Sequence, residues 1–312
     1  MNAGTTLALL CSGQGLQHRE MFRLTARLPE TRGLFDHASE LLGFDPRDAQ
    51  RMATYPLLGN RAGQILCAIQ ALAAATALGE AWHANRVVVA GYSVGEVAAW
   101  GVVQGWSSGD ALDCVARRAE AMDASTAPGD GLVSVRGLSQ RAMQDVCSES
   151  GAAIAIVNPG DAFVVGGSQE ALAAVAAQAP AQAVGARVTR LQVAVASHTS
   201  KLAPAARQFR VDLESVHTSA PLFGMRILSG VDGLPVTKLS IGLDKLAAQV
   251  SQTVRWDACL QGCIEAGATA FLELGPGRAL AEMVTREYPG VIARSLEDFS
   301  SLDGARDWLA RR

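Results

Sequence analysis

Ser93 lies in the pattern Gly91-x-Ser93-x-Gly95, which can present a serine hydroxyl as a nucleophile. Residues 87–89 before it are valines, and an alanine-rich segment of helical character follows it. A strand that turns at once into a helix crowds its neighbours, so residues without Cβ are needed on both sides of the serine. An ordinary strand-to-helix turn with an exposed serine is the alternative. The flanks favour a nucleophile that attacks a carbonyl carbon.

A serine nucleophile needs a general base, and the chain has five histidines. Four of them fall in or beside polar helical segments or in a Ser/Thr-rich connector: His18, His37, His83 and His217. His198 instead follows the alternating apolar segment 191–195, at the predicted junction between two parts of the chain. Such junctions often hold ligands. We expect His198 to be the base, and a purely structural histidine is the alternative.

The residues leave several groups open for orienting the imidazole of the predicted base. An α/β-hydrolase triad places its histidine near the C-terminus, but no histidine follows His217 here. Asp161 could supply a carboxylate, although aspartate is ordinary in a turn such as 158–161. A backbone carbonyl or a side-chain amide could orient the imidazole of His198 instead.

Negative charge on the attacked carbonyl requires N–H donors. The backbone amide of Val94, directly after the nucleophile, is one candidate. The second is the amide of Gln14, in the loop 12–15 at the end of the first predicted strand. Parallel strands end at the same edge of a sheet, so this loop and Ser93 can meet there. A simple glycine-rich turn is the alternative for the loop.

Arg118 lies on the inward flank of a predicted helix. Apolar residues at 111, 112, 115, 119 and 122 form its buried stripe, and Arg117 points away from that stripe. An inward guanidinium needs a carboxylate, and no acidic residue shares its side of the helix. Either the fold supplies that carboxylate from another element, or a substrate such as a malonyl group does.

The order of predicted elements indicates an α/β protein in two parts. Strands and helices alternate up to about residue 127 and again after 195, which is typical of a parallel sheet covered by helices. Segment 128–195 has the order β-α-β-β-α-β, including a last strand over 187–195, which is typical of a ferredoxin-like unit. We predict a large catalytic domain of residues 1–127 and 196–312 with this unit, 128–195, inserted.

Composition narrows the class of protein. The chain has 312 residues, 49% of them hydrophobic and 18% charged, with a formal net charge of −3. These values predict a well-packed protein that binds neither nucleic acid nor a membrane surface. The six cysteines include no Cys-x-x-Cys pair, so we expect reduced thiols, no metal site and a cytoplasmic protein.

Taken together, the motifs and their order resemble the malonyl-CoA:acyl carrier protein transacylases, and the match spans nearly the whole chain. The matching residues are Gly13-Gln14-Gly15, Gly91-x-Ser93-x-Gly95-Glu96, Arg118, Ser197-His198, Gln249 before Trp256, and Glu273-Leu274-Gly275-Pro276-Gly277. The resemblance implies an α/β-hydrolase-like domain with a ferredoxin-like insert.

By the same resemblance, Ser93 is acylated, His198 is its base and Arg118 holds the malonyl carboxylate. The backbone carbonyl of Gln249 orients the histidine, and the amides of Gln14 and Val94 form the oxyanion hole. The implied substrate is malonyl-CoA with no bound cofactor. The implied partner is an acyl carrier protein with a phosphopantetheine-type arm.

Two motifs depart from the family pattern. Cys11-Ser12 stands where the family usually has Phe-Pro, and Tyr92 and Val94 stand where it usually has histidine and leucine. The segment 91–100 looks most like the epsilon subunit of malonate decarboxylase. That likeness implies a dedicated carrier with a modified dephospho-CoA arm and further decarboxylase subunits as partners.

The sequence therefore predicts an acyltransferase that works through an acyl-serine. A serine hydrolase of the thioesterase or lipase kind, with the same serine, is the alternative enzyme. A subunit that keeps the fold for docking but has lost the chemistry is the alternative without catalysis.

Overall fold

The computed structural model describes residues 6–82 and 86–312, so residues 1–5 and 83–85, His83 among them, lie outside the described part. The strands are β1 (Thr6–Cys11), β2 (Arg86–Gly91), β3 (Gly131–Arg136), β4 (Ala153–Asn158), β5 (Ala162–Gly167), β6 (Arg187–Arg190), β7 (Met225–Ile227), β8 (Val254–Arg255), β9 (Ala268–Gly275) and β10 (Ile292–Ser295). The helices are α1 (Arg32–Leu42), α2 (Ala49–Thr54), α3 (Asn60–Leu78), α4 (Gly95–Val102), α5 (Ser108–Ala124), α6 (Gln140–Ser150), α7 (Gln169–Gln182), α8 (Ala203–Glu214), α9 (Leu239–Ala248), α10 (Trp256–Glu265), α11 (Ala279–Glu287) and α12 (Leu302–Ala310).

A parallel sheet in the order β10-β9-β1-β2-β7 forms the centre of the larger part of the protein. Strand β1 is buried along its whole length, as expected for a strand covered by helices on both faces. The last residue of β1, Cys11, pairs in register with Gly91 of β2 and with Gly275 of β9. The loops after these three strands therefore leave from one edge. This arrangement confirms the predicted α/β class with a parallel sheet.

Helix α3 packs against the sheet and against α4 and α5. Together with the short 3-10 turn that follows it, the helix is apolar enough to cross a membrane, with a mean hydropathy of 1.5 over its most apolar window. However, 83% of that window is buried inside the protein, so it is the core helix of this domain. Two glutamines, Gln64 and Gln70, are buried on it among alanine, leucine and isoleucine side chains.

The second sheet has the order β6-β3-β5-β4-β8. Its first four strands pair antiparallel, and α6 and α7 pack against each other beside it. Strand β8 lies outside the segment 128–195 and pairs parallel with β4. The sheet thus takes one short strand from the chain that follows His198, which sequence analysis missed.

The predicted strand over 187–195 is wrong in its second half, because β6 ends at Arg190. Val195 is buried while Gln192 and Ala194 are exposed, so the alternation persists beyond the strand. An extended segment without a partner strand alternates in the same way, so the pattern could not separate the two cases. The unpaired segment leaves the sheet and carries the chain to His198.

Candidate active site

The turn between β2 and α4 presents the Ser93 hydroxyl. Ser93 has φ +57°, in the left-handed region that residues with side chains seldom adopt. A Cβ on Gly91 would lie 2.1 Å from the Glu96 nitrogen, and one on Gly95 would lie 2.1 Å from the Cys11 carbonyl oxygen. Both glycines are therefore required by close contacts, as the sequence predicted.

The loop after β1 lies against this turn. A Cβ on Gly13 would lie 2.8 Å from the Tyr92 carbonyl oxygen and 3.6 Å from the Ser93 Cβ. The side chain of Gln14 donates to the Asn60 carbonyl oxygen at 3.1 Å, which anchors the loop on the first turn of α3. Within residues 6–82 and 86–312, the backbone N–H groups of Gln14 and Val94 have no hydrogen-bond acceptor. Both predicted oxyanion donors are thus present and unused.

His198 contacts Ser93 directly. Its Nε2 lies 2.7 Å from the Ser93 Oγ, and its Nδ1 lies 2.6 Å from the Gln249 carbonyl oxygen. Because that carbonyl accepts a hydrogen bond from Nδ1–H, Nε2 is left to accept the serine proton. His198 also has a positive φ, +61°, and its own N–H donates to the Val250 carbonyl oxygen at 2.9 Å.

The surroundings of His198 keep its imidazole neutral. Burial and the nearby Arg118 charge lower its pKa to about 3, against the opposing effect of the hydrogen bond to Gln249. A neutral imidazole is the form that can take a proton from a hydroxyl. The backbone carbonyl of Gln249 takes the place that a carboxylate holds in many serine enzymes. Asp161, the other candidate for that place, has φ +52° in the turn between β4 and β5, and the hydrogen bonds of His198 go instead to Ser93, Gln249 and Val250.

Arg118 points inward from α5, and its side chain is 1% exposed. Its Nη1 donates to Gln64 Oε1 at 2.5 Å, and its Nη2 lies 3.3 Å from Gln249 Oε1 and 3.5 Å from Ser93 Oγ. Arg117 points to the opposite face of the helix and donates to Ser215 at the surface. The predicted separation of the two arginines is confirmed.

The fold does not give Arg118 a carboxylate partner. No Asp or Glu oxygen of the described residues lies within 4.0 Å of its guanidinium, and its Nε has no hydrogen-bond partner there. Burial lowers the Arg118 pKa to about 10, and the charge of Glu96 partly offsets this effect. The group therefore stays cationic at neutral pH, close to the nucleophile and without a salt bridge.

Sequence reasoning missed the part that Glu96 plays. Its carboxylate is buried and accepts from Gln249 Nε2 at 2.6 Å and from the Gly230 N–H at 2.9 Å. Burial is the main cause that raises the Glu96 pKa to about 7. Gln249 Nε2 also donates to the Ser93 carbonyl oxygen at 3.1 Å. The sequence did carry a signal for this role of Glu96. A glutamate between Gly95 and an apolar run is expected to be buried, and its carboxylate must then find hydrogen-bond partners.

A second carboxylate, whose role sequence analysis did not identify, supports the oxyanion loop, residues 12–15. Glu273 on β9 accepts from the Ser12 hydroxyl at 2.7 Å and from the Ala281 N–H at 2.9 Å. Burial raises the Glu273 pKa to about 7. Ser12, one of the two departures from the family pattern, thus ties the loop carrying Gln14 to the strand beside it.

Tyr92, the other departure, is also accommodated by its surroundings. Its ring packs edge-on against Trp256, with ring centres 5.3 Å apart. Burial raises the pKa of Tyr92 to about 12, so it stays a neutral phenol at the junction of the two sheets.

Of the remaining histidines in the described part, none contacts Ser93. His18 lies 2.9 Å from Glu297, and His37 lies 2.8 Å from Asp113, whereas His217 is exposed. The six cysteines are all buried and free.

These groups can carry out acyl transfer. A serine with a neutral hydrogen-bonded base can attack a carbonyl, two free N–H groups can stabilise the resulting oxyanion, and a cation beside them can hold an anionic acyl group. The structure brings together all six residues that the sequence predicted for the site: Ser93, His198, Gln14, Val94, Arg118 and Gln249.

Comparison with known proteins places the chain among acyl transferases. The model of the family described as "Acyl transferase domain" matches residues 62–294. The malonyl CoA-acyl carrier protein transacylase of Mycobacterium tuberculosis (strain H37Rv) is 31% identical over 306 residues, covering 95% of this chain and 98% of the relative. The protein of that name from Haemophilus influenzae is 28% identical, covering 97% of this chain and 98% of its own.

Solved structures agree in fold over nearly the whole chain. A crystal structure of MCAT from Mycobacterium tuberculosis superposes with a TM-score of 0.87 at 30% identity, covering 98% of this chain and 99% of the other. An acyl-carrier-protein S-malonyltransferase from Burkholderia pseudomallei gives a TM-score of 0.87 at 28% identity, covering 97% of this chain and 100% of the other.

Proposed function

The chain belongs to the acyl transferase family that includes the malonyl CoA-acyl carrier protein transacylases, and on this premise we propose that it transfers malonyl groups through Ser93. The donor is malonyl-CoA, and the acceptor is the thiol of an acyl carrier protein. The single observation that carries the choice of acyl group is Arg118, which is buried and lies 3.5 Å from the serine hydroxyl.

The first half of the reaction loads the enzyme. His198 Nε2 takes the Ser93 proton while the serine oxygen attacks the thioester carbonyl carbon. The tetrahedral intermediate collapses, the bond from carbon to sulfur breaks, and His198 returns the proton to the departing CoA thiolate. A malonyl ester on Ser93 remains.

The second half of the reaction runs in reverse with a different thiol. His198 takes the proton of the carrier thiol, and its sulfur attacks the ester carbonyl. The bond from carbon to the Ser93 oxygen then breaks, and that oxygen recovers its proton from His198. The Gln249 carbonyl holds the imidazolium that forms in each half, through the 2.6 Å contact with Nδ1.

The amides of Gln14 and Val94 are proposed to hold the oxyanion of both intermediates. Their support is that they have no acceptor in the described structure and that Gly13 brings the first loop against Ser93. An N–H group without an acceptor beside a nucleophile is suited to donate a hydrogen bond to the negative charge that develops on the attacked carbonyl oxygen.

Arg118 is proposed to bind the free carboxylate of the malonyl group. Its guanidinium carries a charge without a carboxylate within 4.0 Å in the described residues, and two amide oxygens hold it in position. A guanidinium binds a carboxylate through two parallel hydrogen bonds, a pairing that an acetyl group cannot form.

A narrower proposal concerns the carrier. The sequence 91–100 resembles the malonate decarboxylase epsilon subunit, and Tyr92, which stands where the transacylases usually have histidine, packs against Trp256. On this basis the acceptor would be a dedicated carrier with a dephospho-CoA-derived arm, and other decarboxylase subunits would be partners. Faster malonyl transfer to that carrier than to a phosphopantetheine carrier supports the narrower role, and the reverse order contradicts it.

We further propose that residues 128–195 are a ferredoxin-like unit inserted into an α/β-hydrolase-like domain of residues 1–127 and 196–312. The order β6-β3-β5-β4, with antiparallel pairing and two helices, supports the assignment.

We also propose a cytoplasmic location, which the six free buried thiols support.

Intact-mass analysis of the protein after mixing with malonyl-, acetyl- and longer acyl-CoAs tests the function. The proposal predicts a single malonyl adduct that disappears in Ser93→Ala, with acetyl and longer groups loading more slowly. The absence of any adduct on Ser93 supports a docking subunit without catalysis and contradicts the proposal.

A further inference from the structure

We propose that the buried carboxyl group of Glu96 is a counter-charge to Arg118, and that its ionisation sets how strongly the site prefers malonyl over uncharged acyl groups. This inference rests on the proposed function, because it concerns the acyl group that Arg118 selects. It adds a specificity-determining residue that does not itself touch the substrate.

The contacts of Glu96 leave half of its carboxylate unpaired. Both donors, Gln249 Nε2 at 2.6 Å and the Gly230 N–H at 2.9 Å, bind the same oxygen, Oε2. The other oxygen, Oε1, is buried and has no partner among residues 6–82 and 86–312. A buried carboxylate in this state is poorly satisfied, so its charged form is costly.

One amide side chain links Glu96 to Arg118. Gln249 donates to Glu96 through Nε2 and accepts from Arg118 Nη2 through Oε1, at 3.3 Å. Carboxylate and guanidinium thus bind opposite ends of the same group without an ion pair between them. Charges separated in this way in a poorly solvated interior still attract one another, while the guanidinium stays free to take another carboxylate.

The ionisation of Glu96 therefore changes the net charge that an incoming acyl group meets. When Glu96 is ionised, its charge balances that of Arg118, and a malonyl carboxylate adds an unbalanced negative charge. When Glu96 is protonated, Arg118 has no counter-charge until malonyl supplies it. An acetyl group is uncharged, so its loading does not depend on whether Glu96 is ionised.

Glu96 changes its ionisation near neutral pH, because burial raises its pKa to about 7. The titratable groups around Glu96 on other elements are Arg118, Asp232 with its partner Lys245, and Cys259. Burial raises the pKa of the Cys259 thiol, which therefore stays neutral, and the Lys245 ammonium lies 2.5 Å from Asp232. Glu96 is thus the group of this set that changes charge near neutral pH.

The ratio of loading rates tests the inference. We would measure kcat/KM for CoA release from malonyl-CoA and from acetyl-CoA between pH 6 and pH 8.5, taking the malonyl-to-acetyl ratio. Titration of the CoA phosphates and of the groups around the nucleophile changes kcat/KM for both substrates alike, so these effects cancel in the ratio. We expect the ratio to fall roughly tenfold as pH rises through this range in the unmodified protein.

Glu96→Gln keeps an oxygen acceptor for Gln249 and Gly230 and removes the charge. Its ratio should stay at the high, low-pH value across the whole range. The matched control is Glu273→Gln, because the Glu273 pKa is also about 7 but its contacts support the oxyanion loop, which every acyl group shares. This control should keep the pH dependence of the ratio.

A constant ratio in the unmodified protein, with malonyl loaded on Ser93, overturns this inference and leaves the proposed function intact. An unchanged pH dependence in Glu96→Gln overturns it as well. Failure to load malonyl at any pH overturns both proposals. If Glu96→Gln does not fold, the unmodified protein and Glu273→Gln still test the inference. Loss of the pH dependence of the ratio in Glu273→Gln would assign that dependence to Glu273 and overturn the inference.

Discussion

The Ser93 hydroxyl and the His198 imidazole meet at 2.7 Å, and both residues have positive φ angles, +57° and +61°. A residue with a side chain held at such an angle costs about 1–3 kcal/mol, so the surrounding fold must hold both. Close packing of Gly95 on the Cys11 carbonyl fixes the first turn, and the hydrogen bond from the His198 N–H to Val250 fixes the second. Nucleophile and base are thus set by two independent backbone supports.

The first support predicts that Gly95→Ala prevents the turn from closing. A Cβ there would lie 2.1 Å from a buried backbone oxygen that cannot move without disturbing β1. We expect a loss of about 3 kcal/mol or more of unfolding free energy, measured by urea denaturation. Gly109→Ala, in the first turn of α5, is the control. Its Cβ would meet only the Ser107 hydroxyl, at 3.8 Å, so this change should be neutral or slightly stabilising.

The position of Arg118 predicts a selective loss of malonyl transfer. Arg118→Ala removes a charge-assisted pair worth about 3 kcal/mol, so malonyl loading should fall by roughly 150-fold. Acetyl loading should fall far less, as rapid-quench measurement of the two acyl-enzymes would show. Arg117→Ala, on the opposite face of the same helix, should leave both rates unchanged. Equal losses for both acyl groups in Arg118→Ala would refute the role of Arg118.

The contact between Ser12 and Glu273 predicts a loss of rate that is not selective. Ser12→Ala removes the donor to Glu273 Oε1 and loosens the loop that carries the Gln14 amide. A buried acceptor without its donor costs about 1–3 kcal/mol, and the oxyanion hole serves every acyl group. Malonyl and acetyl loading should therefore slow by the same factor in stopped-flow assays, with KM unchanged. A loss confined to malonyl would contradict this account.

The pKa of Glu273 predicts how its contribution to stability varies with pH. Burial raises this pKa to about 7 from the ordinary 4.5, so the folded protein binds a proton that the unfolded chain has already released between these values. The unmodified protein should therefore lose stability relative to Glu273→Gln as pH rises through this window, by up to roughly 3 kcal/mol. Thermal melts at pH 5 and pH 8 would measure the difference. A difference that is the same at both pH values would show that Glu273 does not titrate.

The sequence was most informative where local sterics fix the structure. The pattern Gly91-x-Ser93-x-Gly95 determines its own turn, because the two glycines are the residues that permit the close contacts. Arg118 could be oriented from helical periodicity alone. His198 was found through the alternating segment before it, although that segment proved to be extended chain and not a paired strand.

What sequence reasoning missed depends on contacts between distant parts of the chain. Glu96 meets Gly230 and Gln249, and Glu273 meets Ser12, across separations that no periodic pattern encodes. The pairing of β8 with β4 is of the same kind. Gln64, which holds Arg118, could have been noticed as an amide within an apolar core helix, since such a group must find a buried partner.

The fate of malonyl-Ser93 tests the central claim most directly. The isolated malonyl-enzyme would be incubated with buffer alone, with a carrier protein lacking its arm, and with the same carrier bearing its phosphopantetheine thiol, and its intact mass followed over time. Transfer through Ser93 predicts that the adduct persists in the first two cases and moves to the carrier in the third. Loss of the malonyl group at the same rate in all three would make the protein a hydrolase and contradict the account.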